Sequence, residues 1–187
     1  FSSTASSAGD ITLHPDIQTS GNPFTGAHFY VSPDISTLMD GSIAKLDPSS
    51  ELAQKMETVK HYPSAVWLDR IEAIYGGGDN GGRRSLEGHF EEAKAQQLAK
   101  VENGVFPPMT AVIIVYNLPD RDCAAAASNG TLHSDEDGMR IYQEEYIDVI
   151  ANTFAQYPNI RIVAMLEPDS YPNMLTNLGV PACASVN

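Results

Sequence analysis

Cysteine is scarce in this chain. Its 187 residues hold two, Cys123 and Cys183, in no CxxC arrangement, which excludes a cysteine zinc site and a thioredoxin-like redox motif. Basic residues are also few. Eleven Lys and Arg stand against 24 Asp and Glu, a net charge of −13. Nucleic acid and anionic membrane surfaces would repel such a chain, so neither is expected as a partner. A neutral ligand such as a sugar polymer meets no such objection, although the charge does not point to it. No apolar run approaches the ~20 residues that cross a bilayer. The five histidines (14, 28, 61, 89 and 133) are scattered without ligand spacing, so no metal and no cofactor is expected. The chain opens at Phe1 with neither an initiator Met nor a signal-peptide pattern, and reads as a mature or excised segment.

What is present fits one globular domain: 42% apolar and 19% charged residues, with 14 Gly and 12 Pro. Residues 1–20 open on small polar residues and form a linker-like tail. A strand is predicted at 27–31, between Pro23 and Pro33. A helix follows near 48–59, capped by Ser49 or Ser50, with Leu52, Met56 and Val59 on one face. A short strand spans 65–68. The glycine cluster at 76–82 formally contains GxGxxG, but a charged, helix-like stretch precedes it where dinucleotide binding needs a buried strand, so a surface loop is expected. Residues 84–101 suit a helix. Residues 111–116, continuously apolar and β-branched, predict a strand buried on both faces. A long loop at 117–135 leads to a helix over about 137–157, with Tyr142, Tyr146, Val149, Ile150 and Phe154 in one stripe. The acidic run Asp135-Glu136-Asp137 complements that helix's amino terminus. Residues 160–166 predict a second buried strand. Strand, helix, strand is a βαβ unit, so the strands should be parallel with a right-handed crossover, and the fold class is α/β.

In such folds the loops after the carboxyl ends of strands carry the chemistry. Three predicted strands run into Asp69-Arg70, into Asn117-Leu118-Pro119-Asp120-Arg121-Asp122-Cys123, and into Glu167-Pro168-Asp169-Ser170. Five carboxylates thus fall at strand tips, either as helix caps or as a carboxylate-pair active site. Trp67 is either a core residue or a platform for a sugar ring, and Tyr116 either closes a buried strand or faces a ligand. His133-Ser134-Asp135 carries triad residue types, but neighbours in a loop need not converge. The cysteines are either two buried thiols or one disulfide, which would imply an oxidising compartment.

The run Tyr116-Asn-Leu-Pro-Asp-Arg-Asp-Cys-Ala-Ala, followed by Ala127-Ser-Asn-Gly and Glu167-Pro-Asp-Ser, resembles glycoside hydrolase family 6, the cellobiohydrolases and endoglucanases. Asn22-Pro-Phe-Thr-Gly, Val66-Trp-Leu-Asp-Arg and Thr176-Asn-Leu-Gly match it too, so the resemblance covers nearly everything after residue 20. It implies that residues 21–187 are the amino-terminal portion of a catalytic domain, part of a distorted parallel (β/α) barrel that is incomplete in this chain. It implies hydrolysis of β-1,4-glucosidic bonds in cellulose with inversion, leaning toward chain-end action; a non-catalytic carbohydrate-binding role is the alternative. By position, Asp169 matches the general acid. Asp122 matches the second acidic residue, which keeps that acid protonated and helps hold the attacking water, and Ser128 matches the residue sharing that water. Tyr116 matches the tyrosine crowding the sugar at the cleavage point, Trp67 and Asp69 match sugar-binding positions, and Arg121 matches the arginine bracing the carboxylates. Cys123 and Cys183 fall where the family forms a disulfide, consistent with secretion. The implied partners are cellulose or cello-oligosaccharides, the carboxy-terminal half of the domain, and a cellulose-binding module joined through the tail.

Elementary chemistry makes the same demands. Inverting hydrolysis needs a proton at the leaving oxygen while water attacks the opposite face, from carboxyl groups roughly 6.5–9.5 Å apart. A partly desolvated Asp169 near Asp122 would be kept from ionising, and the two would titrate as a pair. Asn129-Gly-Thr is a glycosylation sequon, expected to stay unmodified because a glycan beside Ser128 would obstruct a cleft. Three or so strands cannot close a barrel, so the chain alone should form an edge-exposed sheet with little or no activity.

Overall fold

The computed structural model describes residues 21–22, 24–101, 106–125, 129–134, 137–170 and 176–184. The linker-like tail at 1–20, Ser128, and Asp135 and Glu136 lie outside the described residues.

The organising element is β3, Met109–Val115, whose residues are all buried but one. Its β-branched, uninterrupted apolar sequence suits a strand covered on both faces. Along one edge it pairs in parallel with the whole of β4, Ile160–Leu166, from Met109↔Ile160 to Val115↔Leu166. Its other edge is shared by two short parallel strands. β1, His28–Phe29, pairs with Met109 and Thr110, and β2, Val66–Leu68, pairs with Ile113 to Val115. The α/β class and the parallel pairing follow the sequence expectation.

Helices α1 (Pro33–Ile43), α2 (Glu51–Val59), α3 (Glu72–Tyr75), α4 (Leu86–Leu98), α5 (Gly138–Ile141), α6 (Asp148–Ala155) and α7 (Pro181–Ala184) complete the described architecture. A π-helical turn, Tyr142–Ile147, joins α5 to α6. The core lies between the sheet and α4 with α6: Leu86, Phe90 and Ala93 meet Ile113, Val115, Tyr146 and Ile150, all at most 3% exposed. Each large aliphatic side chain buried there contributes about 1.5–3 kcal/mol.

Several expectations change in detail. The first strand is two residues rather than five, because Tyr30 turns down to bond His89 Nδ1 at 2.8 Å and Pro33 opens a helix. That helix, α1, is absent from the sequence reading: it buries no residue, and its anchor is polar. Asp34 accepts the Arg84 backbone N–H at 2.8 Å, pairs with the Arg84 guanidinium, and lies 3.7 Å from His89 Nε2. Ser50 caps α2 by accepting the Ala53 N–H at 3.2 Å. The helix expected over 137–157 is interrupted by the π turn, and Asp137 pairs with Arg140 instead of capping it. β4 is buried only at Ile160; Ala164, Met165 and Leu166 are exposed, so its far end is an open margin and not a covered strand. The glycine cluster forms a closed surface turn. Gly76, at φ +67°, lies so near Arg84 and Ser85 that a Cβ would come within 2.4 Å of the Ser85 nitrogen.

Candidate active site

The tips of β2, β3 and β4 stand side by side, and the residues just beyond them are polar. Tyr146 ties the first two together from below. Its hydroxyl donates to the Leu68 carbonyl and accepts the Tyr116 N–H at 3.0 Å. Glu167 ties the second to the third. Its Oε1 accepts the Asn117 N–H at 3.0 Å and the Tyr142 hydroxyl at 2.9 Å, and its Oε2 accepts the Ser170 hydroxyl at 3.0 Å. Both tyrosines come from the π turn, and their rings stack with centroids 5.5 Å apart. A π turn widens a helix locally and is frequent at functional sites; here it brings two phenols under three strand tips.

Above this base, Tyr116 and Trp67 meet edge to face, with ring centroids 5.9 Å apart. Tyr116 is 4% exposed and Trp67 is 52% exposed, so the tryptophan is an open aromatic surface rather than a core residue. The Arg121 guanidinium lies over the Tyr116 ring at 4.6 Å, donates to Asp122 at 3.1 Å and donates to the Asp69 backbone carbonyl at 2.9 Å. It therefore braces Asp122, and the Asp69 carboxylate is held by Arg70 at 2.9 Å. Burial works to raise the Asp69 carboxyl, but the Arg70 pair and the Arg121 charge outweigh it and hold it below the usual range.

Burial first, then the close approach of Asp122 and the charge of Asp169, push the Tyr116 phenol up to about 12, with Arg121 partly opposing. The Asp122 contact falls short of full hydrogen-bond geometry, and the buried Tyr116 hydroxyl oxygen has no hydrogen-bond partner among the described residues. One phenol thus feels both acids that the sequence pairs. Their surroundings differ: the Asp122 side chain is 14% exposed, whereas Asp169 lies exposed beyond β4. Asp169 is thus more open to solvent than the partly desolvated setting that the sequence reading expects. A cavity of about 150 Å³ is lined by Asp122, Ser170 and both cysteines, bringing the β3 loop against the turn that carries Asp169.

The β3 loop is firmly held. Cys123, next to Asp122, is bonded to Cys183 of α7 across 60 residues of sequence. Asp120 accepts the Ser134 N–H at 2.9 Å and also contacts the Ser134 hydroxyl and His133 Nδ1, the latter at 3.1 Å. Serine and histidine thus converge on Asp120 and not on each other, so they form a loop staple and not a triad. Asp120, Asp122 and Glu167 all adopt left-handed backbone, at φ +59°, +54° and +45°. Among the sequence candidates, Asp69, Asp122, Asp169, Trp67, Tyr116 and Arg121 gather at these tips. Glu167, Tyr142 and Tyr146 are parts that sequence reasoning left in other roles; the i, i+4 spacing of the two tyrosines was visible, but read as core.

The carboxyl-end tips of this parallel sheet, where α/β folds carry their chemistry, collect acids beside an open tryptophan. The sequence pattern described as glycosyl hydrolases family 6 matches residues 24–187, and the chain belongs to that family. It is 42% identical over 181 residues to Exoglucanase A of Cellulomonas fimi, covering 96% of this chain and 19% of that protein. It is 33% identical over 174 residues to 1,4-beta-D-glucan cellobiohydrolase C of Emericella nidulans, covering 89% of this chain and 34% of that protein. Among solved structures, the catalytic domain of Cellulomonas fimi Cel6B superposes with a TM-score of 0.75 at 42% identity, over 87% of this chain and 35% of that one. The CcCel6A catalytic domain complexed with p-nitrophenyl beta-D-cellotrioside gives 0.74 at 37%, over 89% of this chain and 42% of that one. The chain therefore spans about a fifth to a third of these curated relatives and about two-fifths of the solved catalytic domains.

Proposed function

We propose that the polypeptide carrying this chain hydrolyses β-1,4-glucosidic bonds of cellulose with inversion, with Asp169 as the proton donor to the leaving oxygen. Asp122, braced by Arg121, is the carboxylate on the water's side, and Ser128 shares that water. Tyr116 presses on the sugar at the cleavage point, while Trp67 and Asp69 hold the neighbouring glucosyl unit. The observation that carries this reading is geometric: at the strand tips of a family 6 chain, Tyr116 packs against an open tryptophan and under the Arg121 guanidinium, which holds Asp122 at 3.1 Å. Relatives named exoglucanase and cellobiohydrolase support chain-end action. The disulfide supports an oxidising, extracellular setting. Residues 21–187 would be the amino-terminal portion of the catalytic domain, with 1–20 as a linker, and the substrates are cellulose or cello-oligosaccharides.

Asp169→Asn tests the assignment. Positioned general acid catalysis is worth roughly 10²–10⁴-fold, so cleavage of cellohexaose should fall by that factor. A dinitrophenyl cellobioside, whose leaving group needs little protonation, should be spared. Unchanged cellohexaose hydrolysis would remove Asp169 from the role. A second reading has one observation in its favour: with Asp169 exposed, the 187-residue chain by itself binds cello-oligosaccharide without cleaving it. Purified chain that hydrolyses cellulose at the rate of the complete polypeptide would exclude that reading.

A further inference from the structure

We propose that Glu167 is a positioning residue for the proton donor, holding the Asp169 turn at a set height above β3 through a clamp fed by Tyr142 of the π turn. The inference rests on Asp169 being the donor. Glu167 stands two residues before Asp169, where the sequence alone offers it equally as a solvent-facing acid. Its carboxylate instead receives three hydrogen bonds from three separate places: the Asn117 N–H at the tip of β3, the Tyr142 hydroxyl, and the Ser170 hydroxyl just beyond Asp169. Its own N–H reaches the Val115 carbonyl at 2.8 Å, and the Ser170 N–H returns to its carbonyl at 3.2 Å, closing the turn 167–170. Asp169 is thus enclosed in a loop whose two ends are fastened by one residue.

The backbone supports the same conclusion. Glu167 sits at φ +45°, a conformation uncommon for a residue with a Cβ and without the short polar side chain that eases Asn and Asp into it. Such strain persists only where the surroundings over-determine it, and here five hydrogen bonds do so. Asp169 itself is exposed. Its direction is therefore set by the turn, and the turn by Glu167. The clamp also joins the donor to Tyr116, because the Asn117 N–H that Glu167 accepts follows Tyr116 directly in the chain.

Glu167→Gln and Tyr142→Phe, made in the full-length polypeptide that carries this chain, test the clamp. Gln removes the charge that strengthens all three bonds, and it can reach Ser170 only with the hydrogen bond reversed, its amide donating to the hydroxyl; Phe removes one hydroxyl and nothing else. A donor displaced by about 1 Å can cost ~10²-fold. On cellohexaose, kcat should fall about 10- to 100-fold for Glu167→Gln and several-fold for Tyr142→Phe, with KM within about twofold of wild type. On a dinitrophenyl cellobioside, which scarcely needs the donor, both variants should stay within about threefold. Equal losses on the two substrates, a rise in KM with kcat unchanged, or no change would overturn the proposal. If Glu167→Gln does not fold, Tyr142→Phe decides by the same substrate contrast. Asp169→Asn run alongside separates the two claims: if it spares cellohexaose cleavage, the donor assignment has failed; if it behaves as expected while the clamp variants do not, the clamp alone has failed.

Discussion

Replacing Cys123 and Cys183 together by serine, in the full-length polypeptide that carries this chain, is the perturbation whose size follows most directly from the structure. The bond joins residues 60 apart in sequence. In the chain-entropy relation a loop of that size removes about 14 cal/mol/K from the unfolded ensemble, or about 4 kcal/mol at 25 °C. The chain's two cysteines are both consumed in this bond, so no alternative pairing is available within it to compensate. Guanidinium unfolding, with midpoint and slope fitted together, should report a stability loss of about 4 kcal/mol without a fall in the slope. Reductant should destabilise the wild type more than the double variant, by a similar amount. Because Cys123 adjoins Asp122, the double variant should also lose kcat on cellohexaose more than it gains in KM. A stability change under about 1 kcal/mol, or equal sensitivity to reductant in both proteins, would refute the reasoning.

Trp67→Ala should raise KM for cello-oligosaccharides about tenfold or more, from ~1.5–3 kcal/mol of lost apolar contact, with Trp67→Phe between, as steady-state kinetics will report. Tyr116→Phe removes a buried hydroxyl that has no full hydrogen bond among the described residues and stands close to the Asp122 carboxylate; thermal unfolding should show a gain of roughly 1 kcal/mol while turnover falls. Arg121→Lys cannot at once bond Asp122, bond the Asp69 carbonyl and cover the Tyr116 ring; it should cost roughly 1–3 kcal/mol of stability, read by denaturant melts. Burial holds the pKa of His89 below the usual histidine range, with Asp34 opposing and Arg84 adding to the effect. The unfolded chain therefore binds the proton more readily, so stability is full above the ordinary value of about 6.5 and declines as pH falls below it. His89→Gln should flatten that part of the stability profile between pH 7 and 5.

The strand β3 was legible because a β-branched apolar run has few other ways to bury itself; the bounds of β4 agree residue for residue, although the burial expected for it does not. The strand tips were legible for the same reason: once the strands are known, Asp69, Asp122 and Asp169 must come next. Helix α1 was not, because it is held by Asp34 on Arg84 and not by an apolar stripe, and a charge pair 50 residues apart leaves no periodic trace. Glu167 was visible only as another acid. Whether a carboxylate faces solvent or accepts a strand-tip N–H depends on the helix beneath, and the extra width of the π turn that brings Tyr142 within reach has no signature in the tyrosine spacing. The exposure of Asp169 was equally hidden, since shielding belongs to whatever covers a side chain and not to the side chain itself.

Backbone handedness at residues 120, 122 and 167 governs how substitutions there must be interpreted. Alanine at any of the three would keep a Cβ in a region where L residues are uncommon, adding a conformational penalty to the loss of the carboxylate. Asparagine and glycine enter that region readily. An alanine scan of this loop would therefore overstate the chemical worth of Asp122 relative to Asp169, and asparagine is the replacement that compares the two acids on equal terms.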